Sequence, residues 1–196
     1  MTRPADLQQS ASRESAVTAQ NVLWCGDEEL ILASASAARR DLLTSAGLVF
    51  RAVSAEIDER AHEEAARAAG ADAGGIALAL AEAKARAVAG RNPQAIVIGC
   101  DQVLYHAGEI LHKPADRAAL TRQITRLSGD SHALHVGMVL VSGEIVLAEC
   151  VDTARLAMRN LTPEQIALYC DLAGDKALAS VGGYALEGAG IHLFET

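Results

Sequence analysis

Residues 30–43, LILASASAARRDLL, decide the fold class. Leu30-Ile31-Leu32 is a short apolar run of the kind that fills a buried strand, and Arg39-Arg40-Asp41-Leu42-Leu43 reads as the first turns of a helix. Ser34, Ser36 and small alanines lie between them, in the turn. A strand passing into a helix through so short a turn is the unit from which α/β proteins are built. Free amides at the start of a helix, together with its dipole, favour an anion at that place.

The same alternation continues outward. The spacing predicts a strand over 30–34 and a helix over 37–46 closed by Gly47. An extended piece at 50–54 and an acidic loop, AEIDER, come next. Helices are expected over 63–69 and 75–89, then a long β-rich run, AIVIGCDQVLY (95–105), fit for a central strand that HAGE turns back to Ile110-Leu111. In KPADRAALTRQITRLSG, Leu120, Ile124 and Leu127 fall on one helical face. HALHVGMVLV and EIVLAECVDTARLAMR are two further strands, joined at Ser142-Gly143 by a connection short enough for a hairpin. Thr162-Pro163-Glu164-Gln165 carries the cap, first-turn proline and reciprocal glutamine of a capping box, which starts a helix running to about Leu172. YALEGAGIHLFE is expected to form a last strand. Hairpins interleaved with crossover helices make the class α/β with a mixed sheet.

Composition limits the functions available. The chain has 196 residues, 51% of them apolar, enough to bury one ordinary or two-lobed core without disulfides. Aromatics make up 3%, which counts against a base-stacking platform, and a net charge of -8 counts against a nucleic-acid polymer as partner. Cys25, Cys100, Cys150 and Cys170 stand far apart without metal-site spacing, as reduced thiols in a cytosol do. Residues 1–28 read as a flexible tail without a signal-peptide core, and no run reaches the roughly 20 apolar residues of a membrane helix. The expectation is a soluble, cytoplasmic protein that works without a membrane.

Asp101 is the single carboxylate in an otherwise apolar run, and burying it demands a partner. Two readings stand: a structural aspartate accepting backbone amides, or a functional one. Glu56, Asp58 and Glu59 form an acidic group that is either a solvated run or, brought near Asp101, an oxygen donor set for a hard divalent cation. Arg39, Arg40, Lys84 and Lys113 are the cations in suggestive places. Walker, dinucleotide-binding, nucleophile-elbow and zincin motifs are all absent.

Seven stretches in order, LILASASAARRDLL, EIDE, LAEAKA, VIGCDQVL, LHKPAD, LSGDSHALHVGMVL and GGYALEGAGIHLFE, together resemble the Maf family of nucleotide pyrophosphatases from Leu30 to Glu195. The resemblance implies an elongated α/β fold with a mixed sheet flanked by helices. Its two lobes and central cleft would be similar to the inosine-triphosphate pyrophosphatase-like fold. It implies hydrolysis of a nucleoside triphosphate to monophosphate and pyrophosphate, assisted by Mg2+ or Mn2+, and it suggests a homodimer. Ser34, Arg39 and Arg40 fall on the family's phosphate-binding turn, with Ala38 where a proline is usual. Glu59 and Asp101 fall on its acidic positions, and Lys84 and Lys113 on its lysines. The resemblance then makes Asp101 general base or principal metal ligand, and Glu59, with Asp58 beside it, a metal or water-positioning group.

The branch resembling dTTP and UTP pyrophosphatases reads A-D-T and D-K-A-G-A-Y-x-I-Q-G. Here Gln102 replaces the threonine, Ser180-Val181 the Asp-Lys pair and Glu187 the glutamine. These departures are similar to the branch acting on 7-methyl-GTP, a house-cleaning role for modified nucleotides. A carboxylate at Glu187 suits a guanine edge and the positive charge of a methylated ring. A dTTP/UTP pyrophosphatase and a nucleotide-binding division regulator without hydrolysis are the alternatives. The resemblance also implies a G-L-P loop and a final helix beyond Thr196, so a single domain over 29–196 is expected to lack that helix.

Overall fold

The computed structural model describes residues 26–195. Most of the expected tail, residues 1–25, lies outside the described residues, as does Cys25. Six strands and five helices follow one another as β1 (Leu30–Leu32), α1 (Ala37–Ser45), β2 (Arg51–Ala52), α2 (Glu59–Ala68), α3 (Ala73–Ala89), β3 (Ile96–His106), β4 (Glu109–Leu111), α4 (Arg117–Leu127), β5 (Ser131–Ser142), β6 (Ile145–Ala157) and α5 (Pro163–Ala173). The strands form one mixed sheet in the order β2-β1-β3-β5-β6, with β4 paired to β3. β1 is parallel to both β2 and β3, and the β3–β4 return is antiparallel, so the α/β class with a mixed sheet stands as read. None of the described helices is long and apolar enough to cross a membrane.

The chain divides into two compact units, each assembled from three segments: Met1–Ile57, Ala83–Gly99 and Leu140–Ala148 in the first, Asp58–Glu82, Cys100–Val139 and Glu149–Thr196 in the second. In the first unit Leu30, Leu32 and Ile98 form a small core on which Leu43 of α1, Leu48 and Phe50 pack. In the second unit the strands are covered on both faces. Ile76, Ala77 and Leu80 of α3 pack with Val103 on one face, Ala66 of α2 alongside. On the other, Leu104, Leu134 and Met158 meet Leu120, Ile124 and Leu127 of α4, Ile166, Tyr169 and Cys170 of α5, and Tyr184, Leu193 and Phe194. Burying each of these large side chains is worth about 1.5–3 kcal/mol, so this cluster is the main core.

Two elements differ from expectation. α2 begins at Glu59, not at residue 63, because the Asp58 carboxylate accepts a hydrogen bond from the Ala61 amide at 3.0 Å and starts the helix there. The expected last strand, 184–195, is a turn at 186–188 followed by the 3-10 segment Ala189–Leu193, with Phe194 in an isolated bridge to Met158; two more 3-10 segments, Gly174–Ala179 and Val181–Gly183, precede it. Just before it, Gly182 and Gly183 take φ of 88° and 76°, which bends the chain as it enters this segment.

β5 approaches α3 so closely that a Cβ on Gly137 would lie 2.5 Å from the backbone of Ala77 and Leu78. Those atoms belong to a helix backbone and cannot swing aside. Gly137→Ala is therefore expected to destabilise the fold by roughly 3 kcal/mol, read by urea unfolding; an unchanged midpoint would contradict this packing.

Candidate functional site

In the first unit the serine turn is held by its own side chains. Ser34, 7% exposed at the end of β1, accepts hydrogen bonds at Oγ from the Ser36 amide (3.2 Å) and from Nη1 of Arg39 (3.3 Å). Ser36 is the N-cap of α1 and takes the Arg39 amide on its hydroxyl. Arg40 donates from Nη1 to the Ala35 carbonyl at 2.8 Å. Both guanidinium groups are thus folded back over the turn at the N-terminus of α1, while Ala38 continues the helix where the family pattern has proline. Lys84, also in this unit, is buried on α3 at 8% exposure. An ammonium costs free energy to bury without a partner, and Lys84 has one.

In the second unit the middle strand sorts the remaining candidates. Adjacent residues of a strand point to opposite faces. Asp101, 8% exposed, shares its face with Val103, which packs on α3. Glu59 opens α2, whose Ala66 joins the same cluster. Gln102, half-buried, shares its face with Leu104 on the side of α4, α5 and the C-terminal turns. Glu187 is exposed at the tip of a turn closed by the Gly188 amide on the Ala185 carbonyl at 3.2 Å. That segment packs on the Gln102 side: a Cβ on Gly182 would meet Leu104 at 2.7 Å. Lys113 is exposed, next to Pro114, which lies close to Gly183. Gln102, Lys113 and Glu187 therefore fall on one side of β3, Asp101 and Glu59 on the other.

Asp58 serves as a helix cap, and Glu56 lies 3.9 Å from Arg91 in an exposed ion pair. No group of three or more His, Cys, Asp or Glu suited to hold a metal stands together among the described residues. Asp101 and Glu59 remain as hard oxygen donors. Carboxylates are the donors that a cation of the magnesium type takes, one or two at a time, its shell being completed by phosphate and water.

One arrangement escapes a reading of local spacing. Nε2 of His132 on β5 is hydrogen-bonded to the Tyr184 hydroxyl at 2.5 Å, both residues being less than 5% exposed. Phe194 packs edge-on against Tyr184, ring centres 4.9 Å apart, and Nδ1 of His132 has no hydrogen-bond partner. Burial, with the nearby His106 charge, pushes the His132 imidazole down to about 4, although Asp130 acts the other way. The only signal in the sequence is a histidine in an apolar alternation, HALHVG.

Comparison with known proteins adds the following. The family described as "Maf-like protein" matches residues 29–196. The chain is similar to the "Nucleoside triphosphate pyrophosphatase" of Rhodopseudomonas palustris strain HaA2, 47% identical over 174 residues, covering 88% of this chain and 85% of that one. It is also similar to the "7-methyl-GTP pyrophosphatase" of Mesorhizobium japonicum, 47% identical over 168 residues, 86% of this chain and 84% of that one. A HAM1 protein from Coxiella burnetii shows a distant structural likeness, with TM-score 0.45 and 17% identity over 68% of this chain and 74% of that chain.

Two outcomes follow from this geometry. Removing the α2 cap by Asp58→Ala should cost about 1 kcal/mol in thermal or urea unfolding, while Asp58→Asn, whose amide oxygen caps equally well, should cost little. The unfolded chain protonates His132 near pH 6.5 while the fold holds it neutral to about 4. Stability is then complete above pH 6.5 and falls as the pH drops toward 4, by at most about 3 kcal/mol. Urea midpoints at pH 7, 5.5 and 4.5 measure the slope, and His132→Gln should flatten it.

Proposed function

The chain belongs to the Maf family, and from that premise we propose that it hydrolyses 7-methyl-GTP to its monophosphate and pyrophosphate with the help of a divalent metal. The coarser activity is that of its relatives: it is a nucleoside triphosphate pyrophosphatase, a hydrolase. The reading of the base is supported by Gln102 and the Glu187 turn falling on the same side of β3.

Water attacks the α-phosphorus, a new P–O bond forms, and the bond to the bridging oxygen of the pyrophosphate breaks. Charge on the non-bridging oxygens must be neutralised and the nucleophile held in place. Ser34, Arg39 and Arg40 bind phosphate oxygens at the N-terminus of α1, where the backbone already favours anions. Lys84 and Lys113 add compact positive charge. Asp101, with Glu59, either takes the proton of the attacking water or holds the cation; both roles need its ionised form. A bound Mg2+ or Mn2+ supplies charge neutralisation on the phosphate chain. Glu187 accepts hydrogen bonds from the N1–H and amino group of guanine, and its charge complements the methylated ring. Gln102, carrying both donor and acceptor, contributes from the same side.

The test is pyrophosphate release from 7-methyl-GTP, GTP, dTTP, UTP and inosine triphosphate with Mg2+ or Mn2+. 7-Methyl-GTP is expected to lead the panel, and Asp101→Asn is expected to lose at least about 100-fold in kcat. A dTTP or UTP lead would overturn the base assignment and leave the chemistry standing. Full activity in Asp101→Asn would sink the proposed role of that carboxylate.

A further inference from the structure

The segment that carries Glu187 is short, irregular and exposed at its tip, yet its stem is fastened by buried hydrogen bonds. Tyr184, the residue immediately before the turn 185–188, is held at its hydroxyl by His132 of β5 at 2.5 Å. Its carbonyl accepts from the Ser180 hydroxyl at 2.5 Å. The preceding carbonyl, that of Gly183, accepts from the Tyr169 hydroxyl of α5 at 2.8 Å. Phe194 closes the other end of the segment against the rings of both Tyr184 and His132, at 4.9 and 5.9 Å. A Cβ on Gly190 would lie 2.4 Å from the Ala185 carbonyl, so the return limb presses on the start of the turn. Two of these bonds hold the backbone carbonyls of Gly183 and Tyr184, the others anchor the Tyr184 ring, and none of them involves the carboxylate at the tip.

Hydrophobic packing alone would bury Tyr184 and Phe194. It would not require a histidine, with one ring nitrogen left without a partner, at the one place where the tyrosine hydroxyl ends. A buried polar atom without a partner costs stability, and the return for that cost is a fixed direction for the chain entering the turn. We propose that His132 and Tyr184 are positioning residues for base discrimination: through their hydrogen bond they set where the Glu187 turn stands, and so how strongly the enzyme prefers a 7-methylguanine base. This rests on the assignment of Glu187 to the base.

The experiment compares kcat and KM for 7-methyl-GTP and GTP in the intact enzyme and in Tyr184→Phe, His132→Gln, Glu187→Gln and the double variant Tyr184→Phe/Glu187→Gln, with thermal unfolding in parallel. Tyr184→Phe removes one oxygen from a packed ring; His132→Gln is the second probe of the same bond. The preference for 7-methyl-GTP, as the ratio of kcat/KM values, should fall by about tenfold in Tyr184→Phe. The loss should lie in KM for 7-methyl-GTP, with kcat on GTP held. The double variant should lose no more than Glu187→Gln alone, because both changes break one device. A folded Tyr184→Phe with an unchanged ratio, or with both substrates slowed equally, overturns the proposal while leaving a Glu187→Gln effect intact. An unchanged ratio in Glu187→Gln itself overturns the base assignment and the proposal with it.

Discussion

Strand β3 lies between β1 and β5, with a charged side chain at its middle. Asp101, inside this strand, is only 8% exposed. Its carboxylate has to be met inside the protein, where an unmet charge would cost several kcal/mol. That requirement ties the folding of the sheet to the assembly of the groups around it, and it fixes the carboxylate in advance of any ligand. The same alternation that buries Asp101 against the α3 side delivers Gln102 to the other, so one dipeptide serves two neighbourhoods.

The serine turn is prepared differently. Ser34, Ser36 and Arg39 bond to one another and Arg40 bonds to the Ala35 carbonyl, in a turn that connects a buried strand to a helix. Under the proposed function, guanidinium groups held in this way lose less entropy on binding an anion than free ones would. The bond to Ser34 uses one of the five N–H donors of the Arg39 guanidinium.

Local signals were legible in the sequence and long-range ones were not. The Leu120, Ile124 and Leu127 stripe is buried as its spacing required, and the Thr162–Gln165 capping box forms with both reciprocal bonds. Each of these needs only neighbours along the chain. Asp58 was readable as a cap, but within EIDER its charge argued for a loop or a ligand, and that argument hid the start of α2. The terminal segment kept the composition of a strand, but it folds as a turn and a 3-10 segment after two glycines with positive φ. Of the residues nominated for the site, Ser34, Lys84 and Asp101 are buried, which composition cannot show. The His132–Tyr184 bond joins positions 52 apart in sequence, beyond the reach of any local pattern. The separation of Asp101 from Gln102 was within reach, since it follows from strand alternation alone.

The interleaving of the two units bears on how the chain is made. The first unit takes its last segment from Leu140–Ala148 and the second its last from Glu149–Thr196. A ribosome producing this chain from its N-terminus therefore cannot release a finished unit early: the serine turn and its helix wait for a strand encoded far downstream. During that interval Leu30, Leu32 and Ile98 lack the Leu140 that packs against them. Nascent chains of this protein must spend most of their synthesis with apolar strands uncovered, which makes them clients for whatever guards the exit tunnel, and makes truncated products poor candidates for independent folding.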